Sequence, residues 1–194
     1  DHRADMISMG RPLLVDPELP KKVYEGRFKE IRLCTGCNAC FDQIFSGQEL
    51  TCALNPAVGR EREFKLVPAE KPKKVIVVGG GPGGMEAARV LSLRGHKVTL
   101  FEKSEKLGGQ LNLAAIPPER EEFVHVVSYL SNEMERLGVR VELGKEFTPA
   151  LAAAEKPDAI VVATGAVPIR PEIPGIERSN VVYPPEVLEG RAEV

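Results

Sequence analysis

All four cysteines of this 194-residue chain fall in one stretch, Cys34-x2-Cys37-x2-Cys40-x11-Cys52. Two CxxC steps that share a middle cysteine let one tight loop offer three thiolates, and the more distant Cys52 can close the set. A [4Fe–4S] cube presents four iron corners, each of which takes one soft thiolate, and this layout suits it. The intervening Thr35, Gly36, Asn38 and Ala39 are small, so backbone N–H groups can approach the cluster sulfurs and tune their potential. Structural zinc is the competing use of four cysteines, but it usually takes two separated CxxC pairs. Two disulfides are arithmetically possible, although no secretory pattern accompanies them.

A second constellation is Gly79-Gly80-Gly81-Pro82-Gly83-Gly84, a G-x-G-x-x-G loop between an apolar Val-rich run and a stretch with helical spacing. In that context Gly79 permits a tight turn, Gly81 lets the backbone approach a pyrophosphate, and Gly84 lets the helix pack close to the sheet. The helix N-terminus then turns unpaired N–H groups and a positive dipole end toward the phosphates. Glu102 follows Gly79 by 23 residues, at the end of the next apolar run. A carboxylate there can accept from both ribose hydroxyls of an adenosine and disfavours a 2′-phosphate. The plainer alternative is a strand-to-helix turn with a surface glutamate. Gly108-Gly109-Gln110 and Ala163-Thr164-Gly165 are further small-residue loops at element ends.

The elements that must position these groups alternate. Strands are expected over 74–78, 97–101, 139–143 and 159–163, and helices over 82–93, 119–137 and 149–154. This order predicts an α/β fold with a largely parallel sheet covered by helices. Residues 34–56 read as a cysteine-bearing loop with one apolar turn at Ile44-Phe45, and 57–72 as a linker. A mixed helical segment is expected around Pro17 to Gly26. His2, His96 and His125 are isolated, and no role is assigned to them.

Composition excludes more than it identifies. Lys and Arg number 26 against 28 Asp and Glu, with the signs interspersed, so nothing points to nucleic acid or a membrane surface. The apolar runs are strand-length, far short of the ~20 residues that cross a bilayer. A soluble, cytoplasmic protein is the expectation. The opening residues carry neither an initiating Met nor a signal-peptide layout, so the chain reads as starting mid-protein and also stopping early.

These residues resemble the Old Yellow Enzyme-related iron–sulfur flavoproteins, the family of 2,4-dienoyl-CoA reductase, enoate reductases and trimethylamine dehydrogenase. Ser8-Met9-Gly10-Arg11-Pro12-Leu13-Leu14 followed by Asp16-Pro17 resembles the end of that family's TIM barrel. Cys34-Thr35-Gly36-Cys37-Asn38 is similar to its cluster loop, and Asn55-Pro56 matches after the fourth cysteine. Val77 to Ala88, Glu102-Lys103, Leu107-Gly108-Gly109-Gln110 and Ala163-Thr164-Gly165 resemble an FAD domain of the pyridine-nucleotide disulfide reductase type. The resemblance implies a [4Fe–4S] cluster on Cys34, Cys37, Cys40 and Cys52. It implies FAD along Gly79, Gly81, Pro82, Gly84, Glu102, Lys103, Gly109, Gln110, Ala163, Thr164 and Gly165, and FMN phosphate at Gly10 and Arg11. For Arg11 the bland alternative is an exposed arginine at a turn.

The implied domains are a barrel end over 1–33, the cluster segment and linker over 34–72, an incomplete Rossmann-like FAD domain over 73–170, and a crossing toward an NAD(P)-binding domain over 171–194. The expected partners are the remainder of the same polypeptide and a small-molecule substrate. The implied activity is electron flow from NAD(P)H through FAD and the cluster to FMN, for reduction of an activated C=C bond such as an enoate or enoyl-CoA. The catalytic barrel would then lie mostly outside the chain. Two other readings stay open: an amine dehydrogenase or demethylase with ADP in the dinucleotide site, and a non-catalytic metal- and nucleotide-binding module.

Overall fold

A computed structural model describes residues 4–192; His2 lies outside them. Chain order begins with short helices α1 (Arg11–Val15) and α2 (Leu19–Tyr24), a 3-10 turn (Phe28–Glu30) and α3 (Ala39–Phe45). Strand β1 (Lys74–Val78), helix α4 (Pro82–Leu93) and strand β2 (Lys97–Phe101) follow. The remaining elements are α5 (Leu111–Ala114), α6 (Glu122–Arg136), β3 (Arg140–Glu142), α7 (Pro149–Glu155), β4 (Ala159–Val162) and α8 (Pro184–Leu188). The four strands form one parallel sheet in the order β3-β2-β1-β4.

Parallel pairing explains the near-continuous apolar strands, because helices and loops cover both faces of the sheet centre. Val75, Ile76 and Val77 of β1 and Leu100 and Phe101 of β2 are at most 2% exposed. Helix α6 buries Val126, Tyr129, Leu130, Glu133 and Met134 at i, i+3, i+4, i+7 and i+8, a stripe that packs on Met85 and Ala88 of α4. Its one charged member, Glu133, accepts from Arg136 Nε and Nη2 at 2.6 and 2.8 Å, which keeps a carboxylate tolerable at that depth.

The strands and helices of the alternating region fall where hydrophobic periodicity places them, with ends displaced by a few residues. Helix α6 begins at Glu122 instead of residue 119, because Pro117-Pro118 precede a Glu119 held at φ +62°. Within 34–56 the expected loop contains α3, which starts after Asn38 in the left-handed conformation at φ +58° and carries Cys40.

The cysteine segment is tied to the residues before it. Asp16 is buried and accepts from Lys22 Nζ at 2.7 Å and from the Arg32 N–H at 2.9 Å. Asn55 donates to the Leu14 carbonyl at 2.7 Å and accepts from the Ala57 N–H at 3.1 Å, so Asn55-Pro56 joins the fourth cysteine's loop to α1. Residues 57–72 contain neither helix nor strand and return to the end of α4, where the Ala69 N–H donates to the Arg94 carbonyl at 2.9 Å.

Candidate functional site

The sheet order makes β1 the switch point: β2 and β3 lie on one side of it and β4 on the other. In open parallel sheets the crevice beyond the strand ends at such a point is where ligands bind. The loop after β1 is Gly79 to Gly84, and the loop after β4 is Ala163-Thr164-Gly165. Both border a cleft of about 960 Å³ that is also lined by Pro82, Glu102, Lys103, Gly109 and Gln110. Of the dinucleotide residues expected from sequence, only Gly84 lies behind the wall.

Gly84 has a packing task. A Cβ there would sit 1.9 Å from the Gly79 carbonyl oxygen, so α4 can approach β1 only with glycine at this position. Gly79 adopts φ +111°, and a Cβ on it would lie 2.3 Å from the Ala163 carbonyl oxygen. Gly81 is different. At φ −74° it is unstrained, and its Cβ would meet nothing nearer than Gly109 Cα at 4.0 Å. The space beside it is therefore open for a ligand. Helix α4 has no side-chain cap at Gly81, so its first N–H groups are left for an anion.

Glu102 is 8% exposed and accepts two backbone bonds, from Gly80 N–H at 2.6 Å and Ser104 N–H at 2.8 Å. Burial pushes its pKa up, but these N–H groups outweigh that and hold the carboxyl below its ordinary value. An ionised carboxylate oxygen keeps lone pairs beyond those two bonds, so Glu102 can still accept from ribose hydroxyls. Gln110 Nε2 donates to the Ala166 carbonyl at 2.7 Å, which joins the two small-residue loops across the cleft. Lys145 and Phe147, in the turn after β3, also line the cleft, and Phe147 packs on Phe101 with ring centroids 5.1 Å apart. Sequence reasoning missed them. Only the pairing of β3 beside β2 brings that turn to the site, and no local pattern announces it.

The four cysteines line one further, much smaller pocket, walled also by Arg11, Leu14, Thr35, Asn38 and Leu54. All four are free thiols. Among the described residues no three His, Cys, Asp or Glu side chains converge on a single metal-ion position. The thiols surround a space instead of a point, which suits a cube with separate iron corners better than one zinc with its sulfurs about 2.3 Å away. The Gly36 N–H lies 3.4 Å from Cys34 Sγ, in the orientation that tunes a ligating sulfur. The donor set, four free thiols lining one pocket, fits an iron–sulfur cluster.

Arg11 belongs to this cavity as well. Its Nη1 donates to Asn38 Oδ1 at 2.6 Å and its guanidinium carbon lies 5.7 Å from the Phe41 ring centre. Gly10 caps α1 beside it. His96 Nδ1 accepts from the Lys73 N–H at 3.1 Å, a structural contact at the start of β1.

The pyridine nucleotide-disulphide oxidoreductase family matches residues 73–189. The metal reductase of Desulforamulus reducens is 45% identical over 196 residues, a match that covers 98% of this chain and 29% of that protein. The N,N-dimethylglycine/sarcosine dehydrogenase of Chromohalobacter salexigens is 40% identical over 199 residues, covering 97% and 29%. Among solved structures, 2-naphthoyl-CoA reductase in complex with 2-naphthoyl-CoA superposes with a TM-score of 0.96 at 41% identity, over 100% of this chain and 30% of that one. The chain thus spans about three tenths of the length of the proteins it matches.

Proposed function

From the premise that the chain belongs to the pyridine nucleotide-disulphide oxidoreductase family, and is a flavin oxidoreductase of the Old Yellow Enzyme-related iron–sulfur group, we propose that it is the electron relay of an NAD(P)H-dependent reductase. The observation that carries this reading is the joint presence of a four-thiol cavity and a dinucleotide cleft at the sheet's switch point. Bound flavin exchanges electrons in pairs or singly, which matches a hydride donor to a one-electron iron–sulfur centre.

In this reading Cys34, Cys37, Cys40 and Cys52 hold a [4Fe–4S] cluster. The N-terminus of α4 and Gly81 hold the FAD pyrophosphate, Glu102 orients the adenosine ribose, and Gln110, Thr164 and Gly165 lie along the flavin. Arg11, with one of its five donors engaged by Asn38, reaches FMN phosphate at the end of a barrel whose body is carried elsewhere in the polypeptide. That barrel reduces an activated C=C bond, of enoate or enoyl-CoA type. The likeness to 2-naphthoyl-CoA reductase supports the CoA-thioester class.

A second reading has independent support in the 40% identity to a dimethylglycine/sarcosine dehydrogenase: electrons enter from an amine and leave through the cluster, with ADP in the cleft. Anaerobic mixing of the full-length protein with NADH or NADPH, followed by an enoyl-CoA, separates the two. Bleaching by the nicotinamide and recovery of colour on adding the enoyl-CoA support the reductase. Bleaching by a secondary or tertiary amine alone overturns it in favour of the dehydrogenase.

A further inference from the structure

We propose that Arg32 is the positioning residue that fixes the cysteine cavity against the dinucleotide domain, with Tyr129 and the Leu54 carbonyl as its two anchors. The inference rests on the redox reading above, because a fixed separation matters only where electrons pass between the two sites.

Arg32 precedes Cys34 by two residues and Leu54 follows Cys52 by two, so one guanidinium grips both ends of the thiol-bearing segment. Its Nη1 donates to the Leu54 carbonyl, and its Nη2 donates to the Tyr129 hydroxyl at 3.1 Å. The guanidinium carbon lies 5.0 Å from the Tyr129 ring centre. Tyr129 is itself 7% exposed, held in the apolar stripe of α6, and is therefore a rigid anchor. A planar fork can serve a carbonyl, a hydroxyl and a ring at once; a lysine ammonium, a point charge on a flexible stem, cannot.

Leu54 makes the link mechanical as well as polar. Its side chain lines the cysteine cavity and also packs against the core formed by α4, α6 and the sheet. A second tie runs in parallel: Arg136 of α6 lies 3.7 Å from Glu30 and 2.6 Å from Glu133. Glu133 in turn lies 4.0 Å from Arg89 of α4, the helix whose N-terminus faces the cleft. The Arg136–Glu30 link on which that tie depends is long and partly exposed, and such pairs hold position weakly. The part-buried Arg32 contacts are the stronger constraint.

The test uses the full-length holoenzyme with Arg32→Met, Arg32→Lys and Tyr129→Phe. Tyr129→Phe keeps the ring and every charge while removing only the hydroxyl acceptor, so it serves even if Arg32→Met fails to fold. Iron, sulfide and flavin content stay at wild-type levels. Amide exchange across 28–34 and 52–55 rises about tenfold in Arg32→Met, the change in local opening that follows loss of a charge-assisted hydrogen bond, and by less in Tyr129→Phe. After anaerobic mixing with NADH, flavin reduction keeps its rate and cluster reduction, followed by freeze-quench EPR, slows several-fold. Arg32→Lys restores little of it, and the cluster potential of Tyr129→Phe is unchanged.

Wild-type exchange and wild-type cluster reduction in iron-replete Arg32→Met and Tyr129→Phe overturn the positioning role. So does a shifted cluster potential in Tyr129→Phe, which would make the contact a tuner of the metal instead of a spacer. Wild-type protein that holds no iron overturns the redox reading itself, and the two failures are thereby told apart.

Discussion

Replacing Gly84 by alanine tests whether the glycine loop works by the division of labour seen in the structure. In an ordinary helix interior the change gains about 0.8–1.0 kcal/mol of propensity. Here the new methyl would lie 1.9 Å from the Gly79 carbonyl oxygen and 3.4 Å from Ala163 Cβ. The carbonyl is backbone at the end of β1 and cannot swing aside, so α4 must lift, and Met85 and Ala88, both fully buried, lift with it. Overpacking of this kind costs about 1–3 kcal/mol or more.

Taking the upper end and subtracting the propensity gain leaves a net loss of about 2 kcal/mol, or about 30-fold faster exchange of the α4 and β1 amides in the full-length protein. Gly81→Ala is the control with the opposite signature. Its methyl would meet only Gly109 Cα, at an unstrained 4.0 Å, so exchange is unchanged, while flavin affinity falls because the methyl occupies the phosphate approach. Wild-type exchange in Gly84→Ala, or wild-type flavin affinity in Gly81→Ala, would refute the reasoning.

Glu102→Gln places an amide NH2 against one of two backbone N–H donors, and the dinucleotide loop should lose about 1–3 kcal/mol, read as faster exchange of the 79–84 amides. Because the folded Glu102 pKa lies below its ordinary 4.5, the stability it contributes is fully present above that value and is lost as pH falls through the lower folded value. Flavin release on acid titration should follow that course in wild type and lose this component in Glu102→Gln. Cys52→Ser should abolish or deplete the iron content while leaving FAD bound, since Cys52 borders only the thiol cavity; equal loss of both cofactors would contradict the separation of the two sites.

What could be read from the chain divides along a physical line. The β1-α4-β2 unit was legible because strand and helix periods differ and the glycines between them answer to sterics that any such loop imposes. Strand β3 and helix α7 were legible to within two residues at each end for the same reason. Helices α1, α5 and α8, each of four or five residues, were not, because they are too short to show a period and are set by contacts such as Asn55 with the Leu14 carbonyl. Helix α3 hid behind cysteines whose spacing spoke of metal before it spoke of a helix. In the site, residues inside motifs could be named in advance. Phe147, Lys145 and the Arg32–Tyr129 contact could not, because parallel pairing and a sequence separation of 97 residues place them.

The account stands most directly on the cofactor content of anaerobically purified full-length protein, with iron, acid-labile sulfide and acid-released nucleotides quantified together. It predicts about four iron and four sulfide per chain, as one cube requires, with both FAD and FMN. One zinc per chain without sulfide would contradict it.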